Sequence, residues 1–119
     1  MYLDKLKIEQ FNSFSVKNFP ESIDLGIESS DKNFDVVIYY IDAVDDVTRF
    51  VDFCNGASLP DDNRTIMIYK KGRKDGVNRD SIFGPFREGK FTGFKLKAPM
   101  LCSLSKELSA CVMSKEVST

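Results

Sequence analysis

The sequence predicts an α/β domain built on a three-layer, Rossmann-like and mostly parallel sheet that ends in an antiparallel β-hairpin. Three observations carry that expectation. First, "FDVVIYYI" (Phe34 to Ile41) is a nearly continuous β-branched, aliphatic and aromatic run, the pattern of a strand buried on both faces. Second, a segment with helical apolar spacing follows, and then "RTIMIYK" (Arg64 to Lys70). Strand, helix and strand in close succession make a βαβ unit, whose crossover is right-handed and parallel. Third, "FKLKA" and "LSACVMS" alternate strictly, and the segment between them is too short for a helical crossover, so the two strands form a hairpin.

The remaining elements follow in order. Tyr2 to Leu6 suggests a short helix, and "FNSFSVKNF" a weaker strand ending at Phe19-Pro20, with a helical turn through Glu21, Ser22 and Ile23. "ESSDKN" is a surface loop. Asp42 is placed as the N-cap of the central helix, with Asp45 at N3 and Asp46 beyond it, because acids favour the positive end of a helix. Val44, Val47, Phe50, Val51 and Cys54 then recur at helical spacing, and Asn55-Gly56 supplies a stop. Asn78 is the expected N-cap of a second, short helix carrying Ile82, Phe83 and Phe86, with Pro85 interrupting it and Gly89 ending it.

The chain has 119 residues and 42% hydrophobic content, enough for one core and a single domain spanning 1–119. Lys+Arg at 17 against Asp+Glu at 18 leaves no global field to attract nucleic acid or an anionic membrane. Three dispersed cysteines with no His and no CxxC pair support neither a zinc site nor a disulfide framework, and reduced, mostly buried thiols are expected. The charged N-terminus lacks an apolar signal core, and no apolar run approaches the roughly 20 residues of a spanning helix, so a cytoplasmic protein with no membrane partner is expected. Asn63-Arg64-Thr65 matches a glycosylation sequon, without consequence in that setting.

Candidate chemistry concentrates in "YKKGRKDGVNRDS", where Lys70, Lys71, Arg73, Lys74 and Arg79 crowd into one stretch. If "TIMIYK" is a parallel strand, Lys70 and Lys71 sit at its C-terminal end, while Asn78, Arg79 and Asp80 open the next helix. Open α/β sheets place their sites at strand C-terminal ends, and helix N-termini with an arginine suit phosphate or carboxylate. Pro20 and Asp42, at the ends of the two preceding strands, complete the candidate ligand site of Pro20, Asp42, Lys70, Lys71, Asn78, Arg79 and Asp80. The competing reading makes the run a solvated loop, with Arg79 paired to an acid such as Asp42. Residues 71–75 are expected to be solvated and flexible. A third reading, weak nucleic-acid binding through the same loop, is disfavoured because the flanking aromatics fall at core positions.

"KNFPES", "FDVVIYYID", "YKKG" and "GVNRDSIF" resemble motifs of a family of small bacterial proteins of unknown function, and the element order resembles the second half of the Rossmann-like fold of S-adenosylmethionine-dependent methyltransferases. The resemblance covers roughly Phe14 to Lys115 and implies an architecture without an activity to carry over. The glycine-rich turn that a cofactor of that class needs does not occur, since Gly26 is the only glycine before Phe34. No cofactor is therefore expected. "KKGRKDG" does not match a phosphate loop, and the absence of His and of a GxSxG elbow removes the commonest catalytic arrangements. The expected function is non-catalytic binding of a small anionic ligand or a protein partner, the alternative being an enzyme with a degenerate site at the same strand ends.

Overall fold

The computed structural model describes residue 6 and residues 8–117, with the side chains of residues 97–100 excluded. The chain forms β1 (Phe14–Lys17), β2 (Val36–Ile41), α1 (Asp45–Gly56), β3 (Arg64–Lys70), α2 (Arg79–Arg87), β4 (Phe94–Ser103) and β5 (Leu108–Lys115). The helix suggested at Tyr2 to Leu6 lies almost wholly outside the described residues.

The strands make one mixed sheet in the order β1-β2-β3-β5-β4. β1, β2 and β3 run parallel, with Val16, Ile38 and Ile66 in register. β5 then pairs antiparallel with β3, and β4 antiparallel with β5. A parallel bridge between Phe14 and Ser29 extends the β1 edge. The expected crossover and hairpin are both present, but only two of the four strand pairings are parallel. Insertion of β5 between β3 and β4 leaves both of its faces covered, with Cys111 and Met113 packed on one side and Leu108, Ala110 and Val112 on the other.

The three-layer Rossmann-like expectation is contradicted, and the reason lies in what covers each face. Both helices pack on the same side, where Val37, Ile41, Met67, Cys111 and Met113 meet Val47, Phe50 and Cys54 of α1 and Ile82, Phe83 and Phe86 of α2. Phe50 is at the centre, fully buried, with its ring 5.9 Å from those of Tyr39 and Phe94 and 6.2 Å from that of Phe86. The opposite face carries Val36, Ile38, Tyr40, Ile66, Ile68 and Val112, and irregular chain covers it: Leu6, Ile8 and Phe11 before β1, Phe19, Ile23, Leu25 and Ile27 after it, and Leu104 from the hairpin turn. In the β1–β2 connection Phe19, Ile23 and Ile27 recur every four residues, but Pro20 and Gly26 at φ +69° break the segment. It can lay apolar side chains on the sheet, but not as a helix. The turn expected through Glu21, Ser22 and Ile23 is a single one, closed by Ile23 N–H donating to the Pro20 carbonyl (3.0 Å).

The helix starts divide between expectation and correction. Asn78 caps α2: its side chain accepts from Ser81 N–H (3.0 Å), and Ser81 Oγ accepts from Asn78 N–H (3.0 Å). The helix runs through Pro85 to Arg87, and Gly89 follows at φ +79°. Asp42, by contrast, does not cap α1, whose N-cap position is Val44 with no side-chain bond. Asp46 does the work from inside the helix by reaching back along the chain.

Candidate functional site

The C-terminal ends of β1, β2 and β3 open into a cleft of about 1080 Å³, lined by Phe19, Pro20, Ser22, Ile23 and Leu108 together with Asp42, Asp46, Arg49, Lys70, Arg73 and Glu107. Strand alternation fixes this composition. Successive side chains of a strand point to opposite faces, so Tyr40 and Asp42 share the face of Ile38, and Lys70 shares that of Ile66 and Ile68. That face is covered by the β1–β2 connection, which supplies the apolar wall.

The turn leaving β1 is held by Asn18, one of two non-glycine residues described with positive φ (+69°), whose Nδ2 donates to the Tyr40 carbonyl (2.8 Å). Asparagine tolerates the left-handed region better than most residues. This bond ties the end of β1 to the end of β2 and sets Phe19 against Tyr40, with ring centroids 5.3 Å apart. Burial, and secondarily the Asp42 carboxylate, push the Tyr40 hydroxyl above its ordinary pKa, so it remains a neutral hydrogen-bonding group.

Two polar subsites at the end of β2 are occupied by the protein's own side chains. Asp46 is buried, and its Oδ2 accepts from the main-chain N–H of Asp42 (2.9 Å) and of Ala43 (3.0 Å), while Oδ1 accepts from Arg49 (2.8 Å). Burial alone raises its pKa, but the two N–H groups and the guanidinium outweigh burial, and Asp46 titrates below the ordinary aspartate value. An anion-accepting pair of N–H groups ahead of α1 is thus already filled by a carboxylate. The second subsite is built the opposite way: the carbonyl and carboxylate of Asp42, with the Asp75 carboxylate, surround the guanidinium of Arg73 (3.2 Å to Asp42 Oδ1 and, through Nε, 3.2 Å to Asp75 Oδ1). The Asp75 bond is the main reason the Arg73 pKa rises, and the same bond lowers that of Asp75. Arg73 lies between Gly72 at φ +70° and Gly76 at φ +90°, conformations that glycine alone adopts without cost, so it clasps a glycine-bounded strap against the end of β2.

The seven sequence-derived candidates are not brought together. Pro20, Asp42 and Lys70 line the cleft. Lys71, Asn78, Arg79 and Asp80 border a separate shallow depression of about 400 Å³ beside Tyr69 and Ser109, which Lys70 and Arg73 also edge. Neighbouring residues of β3 point to opposite faces, and α2 packs on the face of Tyr69, away from the cleft. Lys71 is engaged with the hairpin turn, donating to Ser103 Oγ and to the Ser105 carbonyl (2.8 Å). Arg79 and Asp80 are exposed and approach each other at 3.7 Å. The arginine paired with Asp42 is Arg73, whereas Arg79 approaches Asp80, and the stretch expected to be solvated and flexible is held at Arg73, whose side chain is only 21% exposed. Sequence reasoning also missed Asn18, Arg49 and Glu107. The signal for Arg73 was available in "GRKDG", an Arg and an Asp two residues apart between glycines.

Cys54 and Cys111 are buried free thiols pushed up to about 12 by burial, far from the reactive thiolate form. Asn63 of the sequon is fully buried, accepting from Lys115 N–H (2.7 Å) and donating to the carbonyls of Pro60 (2.7 Å) and Lys115 (3.0 Å). It is a structural tie between β3 and β5. Among the described residues no group of three or more His, Cys, Asp or Glu side chains is placed to hold a metal, and no helix is long and apolar enough to cross a membrane.

A search of protein-family models and of curated proteins finds no match for the chain. What the cleft can do is therefore argued from its own residues.

Proposed function

We propose that the cleft at the ends of β1, β2 and β3 binds a small ligand carrying an anionic group on an apolar body, and that binding rather than catalysis is its role. One observation carries this reading: Lys70, at the C-terminal end of β3, enters the cleft without a hydrogen bond or ion pair to any described residue. The other cations of the cleft are already bonded to carboxylates. The apolar body would lie against Phe19, Ile23 and Leu108, as in most small-molecule sites, where a few polar groups orient a ligand against an apolar wall. Ser22 and Tyr40 are the cleft hydroxyls among the described residues, and neither is hydrogen-bonded to a base that would activate it as a nucleophile.

The reading is tested by thermal shift and calorimetry with 3-phenylpropionate, alongside inorganic phosphate and pyrophosphate as anions without an apolar body. 3-Phenylpropionate raises the melting temperature of the native protein, and Lys70→Ala weakens its binding by roughly two- to fivefold, the size of an exposed charge pair. An affinity indifferent to Lys70→Ala defeats the proposal.

A further inference from the structure

Among the described residues six charged side chains line the cleft, and four of them are already satisfied. Asp46 and Arg49 bond each other, and Arg73 is bonded to Asp42 and Asp75. The remaining two have opposite sign: the ammonium of Lys70 and the carboxylate of Glu107. Although β3 and β5 are neighbours, these two do not pair. Lys70 stands opposite Leu108 in the register, while Glu107, one residue earlier, precedes β5 and gives its carbonyl to Lys71 N–H (2.8 Å). The cleft therefore presents one uncompensated positive and one uncompensated negative group beside the same apolar wall. A ligand with only an anionic group would meet Lys70 but also the fields of Glu107 and of the exposed Asp42 carboxylate. One with both signs would satisfy Lys70 and Glu107 together.

We infer that the ligand is a zwitterion of amino-acid type, its carboxylate or phosphate facing Lys70, its ammonium facing Glu107, and its apolar body lying against Phe19, Ile23 and Leu108. This rests on the reading of the cleft as an anion-accepting ligand site and adds the second charge to it.

The test uses three probes that share one apolar body: L-phenylalanine, 3-phenylpropionate, which lacks the amine, and phenethylamine, which lacks the carboxylate. Each is titrated into the full chain while the amide signals of Lys70, Lys71, Glu107 and Leu108 are followed by NMR. The zwitterion binds roughly two- to fivefold more tightly than either singly charged analogue, as expected for one exposed charge pair. Glu107→Gln removes its advantage over 3-phenylpropionate, and Lys70→Ala removes its advantage over phenethylamine. If L-phenylalanine binds no better than 3-phenylpropionate, while the latter still depends on Lys70, the zwitterion inference is overturned and the anion site stands. If 3-phenylpropionate ignores Lys70→Ala, or none of the three probes binds, both are overturned.

Discussion

Replacing Asp46 by Asn tests how the start of α1 is held. The carboxylate accepts two main-chain N–H bonds and one from Arg49. An amide keeps one acceptor oxygen near Asp42 and Ala43 but turns two charge-assisted bonds into neutral ones. Hydrogen bonds to charged groups contribute about 1.5–3 kcal/mol and neutral ones about 1, so the exchange costs about 1 kcal/mol for each N–H. The Arg49 side chain is 63% exposed, so losing that pair adds at most about 1 kcal/mol. Asp46→Asn should therefore destabilise the protein by about 2–3 kcal/mol, a large share of the total for a domain of this size, while Arg49→Ala costs under about 1 kcal/mol. Urea unfolding followed by circular dichroism, with an unchanged slope, measures both. The pH dependence has a definite sign. Because the folded pKa of Asp46 is lowered, its contribution is complete above the ordinary aspartate value near pH 4 and is lost as pH falls through the folded value. The gap between wild type and Asp46→Asn should thus narrow in acid. A variant within about 0.5 kcal/mol of wild type at neutral pH, or Arg49→Ala costing as much as Asp46→Asn, would show that the back-bonded carboxylate is not what secures this turn.

Three further outcomes follow from the same geometry. Asn63→Ala breaks two bonds joining the start of β3 to the end of β5 and a third to the Pro60 carbonyl, and urea unfolding should show a loss of about 2–3 kcal/mol. Thr65 Oγ1 is buried without a hydrogen-bond partner among the described residues, so the near-isosteric Thr65→Val should raise stability by about 1 kcal/mol, read as an upward shift of Tm by a few degrees. Arg73→Ala unclasps the strap, and hydrogen exchange should accelerate at residues 72–76 while the amides of β2 and β3 keep their protection.

The strands and the second helix were readable because their information is local. Arg64–Lys70 and the Asn78 cap sit where the residue pattern puts them, and the hairpin follows from two alternating segments with too little chain between them for a crossover. The missing helical layer was harder to see. Phe19, Ile23, Leu25 and Ile27 are apolar enough to cover a sheet face, and whether such residues do so from a helix or from irregular chain depends on Pro20 and Gly26 rather than on hydrophobicity. The candidate site was gathered along the chain from Lys70 to Asp80, but strand alternation and the packing of α2 divide that run between two faces. Arg73 bonds Asp42 across 31 positions, and Lys70, Phe19 and Glu107 come to line one cleft only through the sheet order. Neither neighbourhood is visible until the strands are assembled.

The most direct measurement is a map of amide chemical shifts as 3-phenylpropionate is titrated into the ¹⁵N-labelled protein. Binding in the cleft moves the signals of residues 18–19, 21–23 and 42–43, Lys70 and Leu108, and Lys70→Ala reduces the response. Shifts centred instead on residues 78–80, abolished by Arg79→Ala and untouched by Lys70→Ala, would place the ligand on the opposite face of the sheet and contradict the cleft as the site.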